Sequence, residues 1–223
     1  MERRENWQTV FKTEQQAKQA LARLAETVKQ AEARPCQVRQ WGERLLCCLT
    51  ETRELVKALA EALPHRVLSV NEAERKQAYA AFCSTALQIE SLWQTLWASK
   101  TREGKIEEVD WQRESLCVTI AEQYPTLKAD SERILRSLEE ARELVRAARR
   151  VEKELNEALL SFWDGPYKVF FKKAASCVDG ENGGRQMRIE TLAQLCFGLS
   201  VAIGQAERQI RCILQKPVTK PTV

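Results

Sequence analysis

The sequence contains little glycine, proline or histidine: 8 glycines, 6 prolines and 1 histidine among 223 residues. A β-sandwich or barrel needs many tight turns, so the scarcity of glycine and proline argues against an all-β fold. Ala, Glu, Leu, Lys and Arg instead make up half of the chain, which is typical of long helices and coiled coils. Hydrophobic residues at 44% and charged residues at 30% also exclude a disordered chain.

The motifs that the sequence lacks exclude most catalytic chemistry. His65 is the single histidine, so any Cys–His nucleophile pair would depend on one residue at a predicted helix end. The chain has no Gly-x-Ser-x-Gly motif, no Cys-x-x-Cys pair, no Glu-x-x-His motif and no phosphate-binding loop that follows a strand. We therefore expect a protein without catalytic activity, metal or cofactor.

Targeting signals are also missing. No stretch reaches the ~20 apolar residues of a transmembrane helix, and residues 1–6 form no apolar signal core. The eight cysteines could form a disulfide framework in a small secreted domain, but most of them fall on apolar helical positions. The sequence thus predicts reduced, buried thiols and a cytoplasmic location.

Apolar residues recur at intervals of three and four along most of the chain, which predicts amphipathic helices. The first two such segments, Trp7–Ala31 and Val38–Ala62, are expected to be separate helices because Pro35 disfavours a helical conformation at the residue before it. The next helix is expected to begin with a capping box, in which Asn71 and Glu74 bond reciprocally to backbone N–H groups.

Further breaks divide the second half of the chain. A polar loop is predicted at 99–105, the end or kink of a shorter helix at Pro125, and a break at Asp164-Gly165-Pro166 after a helix over 127–162. A turn is predicted at 179–184, before a last helix over 189–213. The expected fold is all-α, an antiparallel bundle of four long and two shorter helices with coiled-coil-like packing. It comprises one domain over 1–215 and a flexible tail over 216–223.

A basic stripe follows the helix predicted over 127–162. Its members recur at i, i+4, i+7 and i+11 with one neighbour beside them, and they lie about 100° from the apolar seam. They are Arg142, Arg146, Arg149, Arg150 and Lys153. Such a stripe can be a solvated face with ion pairs such as Glu139–Arg142 and Glu143–Arg146. Alternatively, it can bind an acidic protein surface, anionic lipid or nucleic acid.

An aromatic segment with two lysines follows the same helix. Its members are Phe162, Trp163, Tyr167, Phe170, Phe171, Lys172 and Lys173. Five aromatic side chains within ten residues can pack into the core at a helix–helix corner. They can also anchor a partner protein, because aromatic residues with a basic rim are typical of interface hot spots, or insert into a membrane surface.

The segment Thr191–Ala206 carries no charge. A central helix surrounded by the others explains such a segment, and Gly198 and Ala202 permit close approach of a neighbour. The alternative is a helix that leaves the bundle and enters a bilayer or a partner.

The leading functional hypothesis is a cytosolic adaptor or scaffold that binds another protein through helix–helix contacts, with a homodimer also open. The contact surface would comprise the aromatic segment and the basic stripe. A membrane-surface-active bundle, similar in type to cell-death or effector proteins, is the second hypothesis, because residues 165–223 carry a net charge of +5. Nucleic-acid binding is disfavoured, since the whole chain carries only +4 and no recognition motif.

Overall fold

A computed structural model describes residues 11–64, 71–102, 111–178 and 189–216. These residues are almost all helical and include no β-strand, so the predicted all-α class is confirmed. A 3₁₀ turn, Pro125–Leu127, and a π-helical turn, Trp163–Tyr167, interrupt the helices. In this part of the chain the helices are α1 (Glu14–Ala62), α2 (Glu72–Arg102), α3 (Trp111–Gln123), α4 (Lys128–Phe162), α5 (Lys168–Val178) and α6 (Ile189–Gln215).

Helix α1 runs for 49 residues and contains Pro35 in its interior. The prediction that Pro35 separates two helices is therefore wrong. A proline inside a helix removes one hydrogen bond and costs about 3 kcal/mol. Packing on both sides offsets that cost, because Ala31 and Val38 are both buried and lie seven residues, or two turns, apart. The apolar seam thus continues in phase across the proline.

Three predicted helix boundaries that depend on local chemistry are confirmed, at Pro64, Asn71 and Pro125. Glu74 N donates to Asn71 Oδ1 at 2.8 Å, and Asn71 N donates to Glu74 Oε2 at 3.0 Å. Helix α1 ends two residues before Pro64, and Pro125 opens the 3₁₀ turn between α3 and α4. Thr13, which the sequence analysis did not identify, caps α1 by accepting from the backbone N–H of Gln16.

Two predicted breaks are helical. Residues 99–102 of the predicted loop belong to α2, since Ser99 bonds to a carbonyl of its own helix and Lys100 packs on indole rings. At Asp164-Gly165-Pro166 the chain forms the π-helical turn, which carries α4 directly into α5. The wider π turn accommodates a proline that cannot donate a backbone hydrogen bond. His65, the predicted turn at 179–184, and most of the predicted tail lie outside the described residues.

The chain divides into two compact units, each built from separate stretches of sequence. Among the described residues, unit 1 comprises 11–38 and 111–150, and unit 2 comprises 39–64, 71–102, 151–178 and 189–216. Helices α1 and α4 each contribute to both units. The prediction of one domain over 1–215 stays a prediction.

The core of unit 1 is aliphatic. Its buried cluster consists of alanine, leucine, valine and isoleucine side chains with one cysteine, and includes Leu24, Ile120 and Leu138. The aromatic rings of Phe11 and Tyr124 pack only at its margin and are partly buried. The Ser131 hydroxyl is buried among these residues and has no hydrogen-bond partner in the described part of the chain.

The core of unit 2 contains both large aromatic and polar side chains. Trp93, Trp41 and Phe162 are buried, as are the polar residues Thr52 and Glu207. The Thr52 hydroxyl donates to the carbonyl of Cys48 at 2.7 Å, so its burial leaves no unpaired group.

Close approach of the helices in unit 2 depends on Gly42 of α1. A Cβ at Gly42 would lie 2.6 Å from Leu214 Cδ2 and 3.1 Å from Leu155 Cδ1. Both distances are shorter than normal carbon contacts, so a side chain at this position would displace the leucines of α6 and α4.

Candidate functional site

The predicted basic stripe does not form one solvated surface on α4. Nη1 of Arg142 donates to Oε1 of Glu114 at 3.0 Å, and both side chains are only 15% exposed. The prediction that Arg142 faces solvent is therefore wrong, because Glu114 of α3 pairs with it inside unit 1. The predicted pair between Glu143 and Arg146 is present, with 2.6 Å between Oε1 and Nη1.

The other stripe residues remain on the surface of α4. Arg149, Arg150 and Lys153 are exposed, and Lys153 Nζ lies 3.7 Å from Glu157 Oε1. Carboxylates therefore interleave with the cations along this face. Exposed pairs of this kind contribute little energy, and a face of mixed sign attracts anions weakly.

The predicted aromatic segment lies largely inside unit 2. Phe162, Tyr167 and Phe170 are buried, whereas Trp163 and Phe171 are half-buried. A partner cannot reach these three buried side chains, so they do not belong to the predicted contact surface. Packing in the core of unit 2 accounts for their presence. Lys172 and Lys173 are exposed.

Trp93 of α2 is the centre around which these aromatic rings pack. Its ring centroid lies 5.0 Å from that of Trp163, 5.7 Å from Tyr167 and 6.0 Å from Phe162. The π-helical turn brings Trp163 and Tyr167 into a stack with centroids 4.1 Å apart. Burial raises the pKa of the Tyr167 hydroxyl to about 12, with smaller contributions from Cys48 and Glu90. These rings therefore form one packed aromatic cluster in unit 2.

A cation borders the aromatic core of unit 2. The Lys100 ammonium lies 4.5 Å from the ring centroid of Trp41 and 5.7 Å from that of Trp97. Its Nζ also donates to Oδ1 of Asn156 at 2.5 Å. The indole rings and the amide thus replace part of the hydration shell of the ammonium, and they hold α2 against α1 and α4.

A buried carboxylate joins α6 to α1. Glu207 is 1% exposed, and it accepts from Arg53 Nη1 at 2.8 Å and from the Thr50 hydroxyl at 3.0 Å. Arg211 Nη2 lies 3.5 Å from the same side chain. The ion pair between Glu207 and Arg53 was not predicted, although Glu207 lies four residues after Ile203 on the apolar seam. The position of Glu207 on this seam was the sequence feature that indicated its burial.

A groove lies between α1 and α2 in unit 2. It has a volume of about 1270 Å³ and is open along one side. Its apolar floor is formed by Cys47, Cys48, Leu55, Ala58, Leu92 and Leu96. The Thr95 and Ser99 hydroxyls on the α2 side donate to carbonyls of their own helix, at 2.9 and 2.7 Å, so they need no external partner. The groove can therefore accept an apolar surface without leaving these groups unpaired.

The rim of the groove on α1 is acidic. Glu43, Glu51 and Glu54 line it together with the single cation Arg44. Glu54 is also within 2.8 Å of Lys57 Nζ, and this hydrogen bond holds the pKa of its carboxyl below the usual value. Glu54 Oε1 also lies 3.6 Å from Arg53 Nε, and Glu43 Oε1 lies 4.0 Å from Arg39 Nε. Cations outside the lining therefore offset part of the negative charge on the rim. Sequence analysis did not identify the groove, because its two walls are far apart in the chain.

Helix α6 is only partly surrounded. Phe197 is 73% exposed and Val201 is 45% exposed, so the prediction of a central helix over Thr191–Ala206 is wrong. Side chains of α6 at intervals of three and four pack into unit 2, from Ile189 to Ile213, and leave the opposite face uncovered. By length and composition α6 could cross a membrane, with a mean hydropathy of 1.2 over 18 residues, but 33% of that stretch is buried.

The exposed residues on this side of α6 are aligned along the helix axis. Phe197, Val201 and Arg208 lie at i, i+4 and i+11, which places them on one line along the helix. Gly204 lies on the same line, and no atom lies within 4 Å of where its Cβ would be. We call Phe197, Val201, Gly204 and Arg208 the α6 stripe. It begins with a large apolar side chain and ends with a cation.

The cysteines divide into buried and exposed groups. Cys48, Cys117 and Cys196 are buried, and burial raises the pKa values of their thiols to about 12, 11 and 12. Cys83 is half-buried. The prediction of burial is wrong for three others, since Cys36, Cys47 and Cys212 are exposed. All seven are free thiols, and across the described ranges no three His, Cys, Asp or Glu residues are grouped so as to hold a metal ion.

Comparisons with protein-family models, with curated proteins and with solved structures give no match to this chain.

Proposed function

We propose that this protein is a non-catalytic interaction module that binds a partner helix in the groove between α1 and α2. The groove itself carries the proposal: its α1 wall extends about 27 Å from Gln40 to Ala58, and carboxylates border its apolar floor. Amphipathic helices bind such grooves through apolar side chains at i, i+3, i+4 and i+7.

The chemistry of the groove defines the partner. Its floor is built from leucine, alanine and cysteine side chains, so it suits an apolar helix face without long polar groups. Glu43, Glu51 and Glu54 favour lysine or arginine on the flank of the incoming helix. Charge complementarity chiefly raises the association rate and selects partners, while the apolar contact provides most of the affinity.

The proposal extends to the setting of the module. We place it in the cytoplasm as an adaptor or scaffold, which accords with seven free thiols in the described chain. Within each unit we propose that neighbouring helices run antiparallel with coiled-coil-like packing, as short connections favour. Lys172, Lys173 and the exposed arginines of α4 are outside the proposed groove.

The test uses two 18-residue helical peptides with the same leucine and alanine face. One has lysine flanks and the other has glutamate flanks, and binding to the full chain is followed by fluorescence anisotropy. We expect the lysine peptide to bind about tenfold more tightly than the glutamate peptide, with the difference shrinking as salt is added.

Thr95→Arg blocks the groove, because Thr95 is exposed on its α2 wall. Gln94→Arg is the matched control: it adds the same charge at the next residue, which is exposed and does not line the groove. We expect Thr95→Arg to weaken lysine-peptide binding about tenfold or more and Gln94→Arg to leave it unchanged. Equal binding by both variants, or no binding of either peptide to the unsubstituted chain, would disprove the proposal.

A further inference from the structure

We infer that the occupant of the groove is the α6 stripe of a second copy of this chain. This inference rests on the proposed function, since it names the partner for the same groove. The chain therefore carries both halves of one interface: an apolar-floored groove with carboxylates on its rim, and an apolar helix face that ends in a cation.

The charges of the two surfaces are complementary. Helices α5 and α6 contain five basic residues and two acidic ones. One of the acidic residues, Glu207, is buried and paired with Arg53, which leaves Glu190 as the exposed carboxylate of these two helices. All five basic residues are exposed; they are Lys168, Lys172, Lys173, Arg208 and Arg211. Lys168 pairs with Asp164 and Arg211 with Glu207, so the cation that the α6 stripe itself adds is Arg208. The residues that line the groove rim have the opposite balance, with three carboxylates and one cation, although Glu43 and Glu54 also pair with cations outside the lining.

The dimensions also match. The α6 stripe extends over eleven residue steps from Phe197 to Arg208, about 17 Å along the helix axis. The α2 wall of the groove extends over the same number of steps from Gln88 to Ser99, and the α1 wall is longer. Phe197 can thus fill one end of the groove while Arg208 meets the carboxylates of the rim.

The small residues of the stripe permit close contact. Gly204 lies between Val201 and Arg208 and has open space where a side chain would be. A flat position in the middle of the stripe allows the backbone of α6 to approach the walls of the groove, as small residues do at helix–helix contacts. Phe197, at 73% exposed, is the anchor whose burial would contribute most to the contact.

The geometry of the contact has a specific consequence for assembly. The groove and the stripe are different surfaces, so each contact joins the groove of one copy to the stripe of another. Two copies can close reciprocally, or the contacts can continue from copy to copy in a head-to-tail array. A copy with a blocked groove still offers its stripe, and a copy with an altered stripe still offers its groove.

The experiment combines two variants of the full chain. Thr95→Arg blocks the groove, and Phe197→Asp places a carboxylate on the stripe, where it would meet the acidic rim. Both residues are exposed, so circular dichroism and thermal melting should match the unsubstituted chain. Gln94→Arg and Gln209→Asp are the controls, since both are exposed and point away from the groove and the stripe.

Sedimentation velocity over increasing concentration gives the result. We expect self-association of the unsubstituted chain and both controls, and monomers for Thr95→Arg and for Phe197→Asp alone. An equimolar mixture of these two variants should form a heterodimer, because it restores one intact groove–stripe contact. If the mixture stays monomeric while the unsubstituted chain associates, the interface lies elsewhere and the inference is overturned.

Two other results would also overturn the inference, and they separate it from the proposed function. If the chain is monomeric at every concentration but binds the lysine peptide, the groove takes a different protein and only the inference fails. If it stays monomeric and floats with phosphatidylserine vesicles in a manner that Phe197→Asp abolishes, the stripe meets a membrane instead. If it neither binds the peptide nor associates, both proposals fail.

Discussion

The two units of this protein use different kinds of core. Among the described residues of unit 1 the buried cluster is aliphatic, and the rings of Phe11 and Tyr124 lie at its margin. In unit 2 the core holds a tryptophan-centred aromatic cluster and a buried ion pair, and the groove and the α6 stripe lie on its surface. An aliphatic core tolerates rearrangement of similar volumes, whereas stacked rings and a paired charge each require one arrangement. The unit that carries the candidate binding surfaces is thus the more precisely specified one.

The largest effect should come from the centre of the aromatic cluster. Trp93→Leu removes ring contacts with Phe162, Trp163 and Tyr167 and leaves a cavity, so we expect a loss of about 3–4 kcal/mol in the free energy of unfolding. In unit 1, Leu138→Met keeps the side-chain volume and should cost less than about 1.5 kcal/mol. Urea unfolding of both variants measures the difference; equal losses would contradict the contrast between the cores.

The buried ion pair should give the next effect. Arg53→Ala leaves the Glu207 carboxylate buried with Thr50 and Arg211 as its remaining partners, and we expect a loss of about 3 kcal/mol. The double variant Arg53→Ala with Glu207→Leu should recover much of this loss, because no unpaired charge remains. Thermodynamic coupling from a double-mutant cycle is the measurement, and additive losses would mean that the pair is not coupled.

Alkaline pH should destabilise unit 2 more than unit 1. The folded protein holds the pKa values of Cys48, Cys196 and Tyr167 at about 12, and that of Cys117 at about 11. In the unfolded chain the thiols ionise near 9, so above that pH the unfolded state has lost protons that the folded state keeps. Stability is therefore fully present below pH 9 and falls as pH rises from about 9 towards 12.

Each of these groups lowers the free energy of unfolding by about 1.4 kcal/mol per pH unit in this interval. Urea unfolding at successive pH values measures it. Replacing Cys48 by Ala should make the slope shallower over the whole interval, whereas Cys117→Ala should do so only up to about pH 11. A stability that does not change across this interval would contradict the burial of these thiols.

The smallest effect concerns the one buried polar side chain of unit 1 among the described residues. Within the described ranges the Ser131 hydroxyl has no hydrogen-bond partner, unlike Thr52 and Glu207 in unit 2. Alanine removes the unpaired group and favours the helix more strongly, so Ser131→Ala should stabilise the protein by roughly 0.5–1 kcal/mol. Thr52→Ala, which removes a hydrogen-bonded hydroxyl, is the comparison, and a loss of stability at position 131 would show that its hydroxyl is paired.

Features of this fold that depend on a few neighbouring residues were predictable from the sequence. The capping box at Asn71 and Glu74, the stop at Pro64 and the turn at Pro125 all follow from local backbone chemistry. The break predicted at Pro35 was wrong because the local effect of proline was not weighed against the spacing of the apolar residues on either side of it. Ala31 and Val38 are two turns apart, and this spacing indicated that one helix could continue through the proline.

Most of the candidate site could not be predicted from the sequence, for a physical reason. A groove requires two helices at a given separation, and its α1 and α2 walls are joined only through the fold. Likewise, the partner of Glu207 lies 154 residues away, so the position of Glu207 on the apolar seam indicates its burial but does not identify Arg53 as its partner. The charge-free segment of α6 predicted burial on all sides, but absence of charge does not determine how much of a helix its neighbours cover.

The distance in sequence between Arg53 and Glu207 has a consequence for synthesis of the chain. At roughly 5–20 residues per second, the ribosome delivers the carboxylate some 8–30 seconds after the arginine. During that interval α2 and α4 can pack against α1, but the part of α1 that α6 contacts, around Gly42 and Arg53, lacks that neighbour. A nascent chain would therefore expose that part of α1 until α6 emerges, so chaperone binding during translation should concentrate on α1 and end when residues 189–215 leave the exit tunnel.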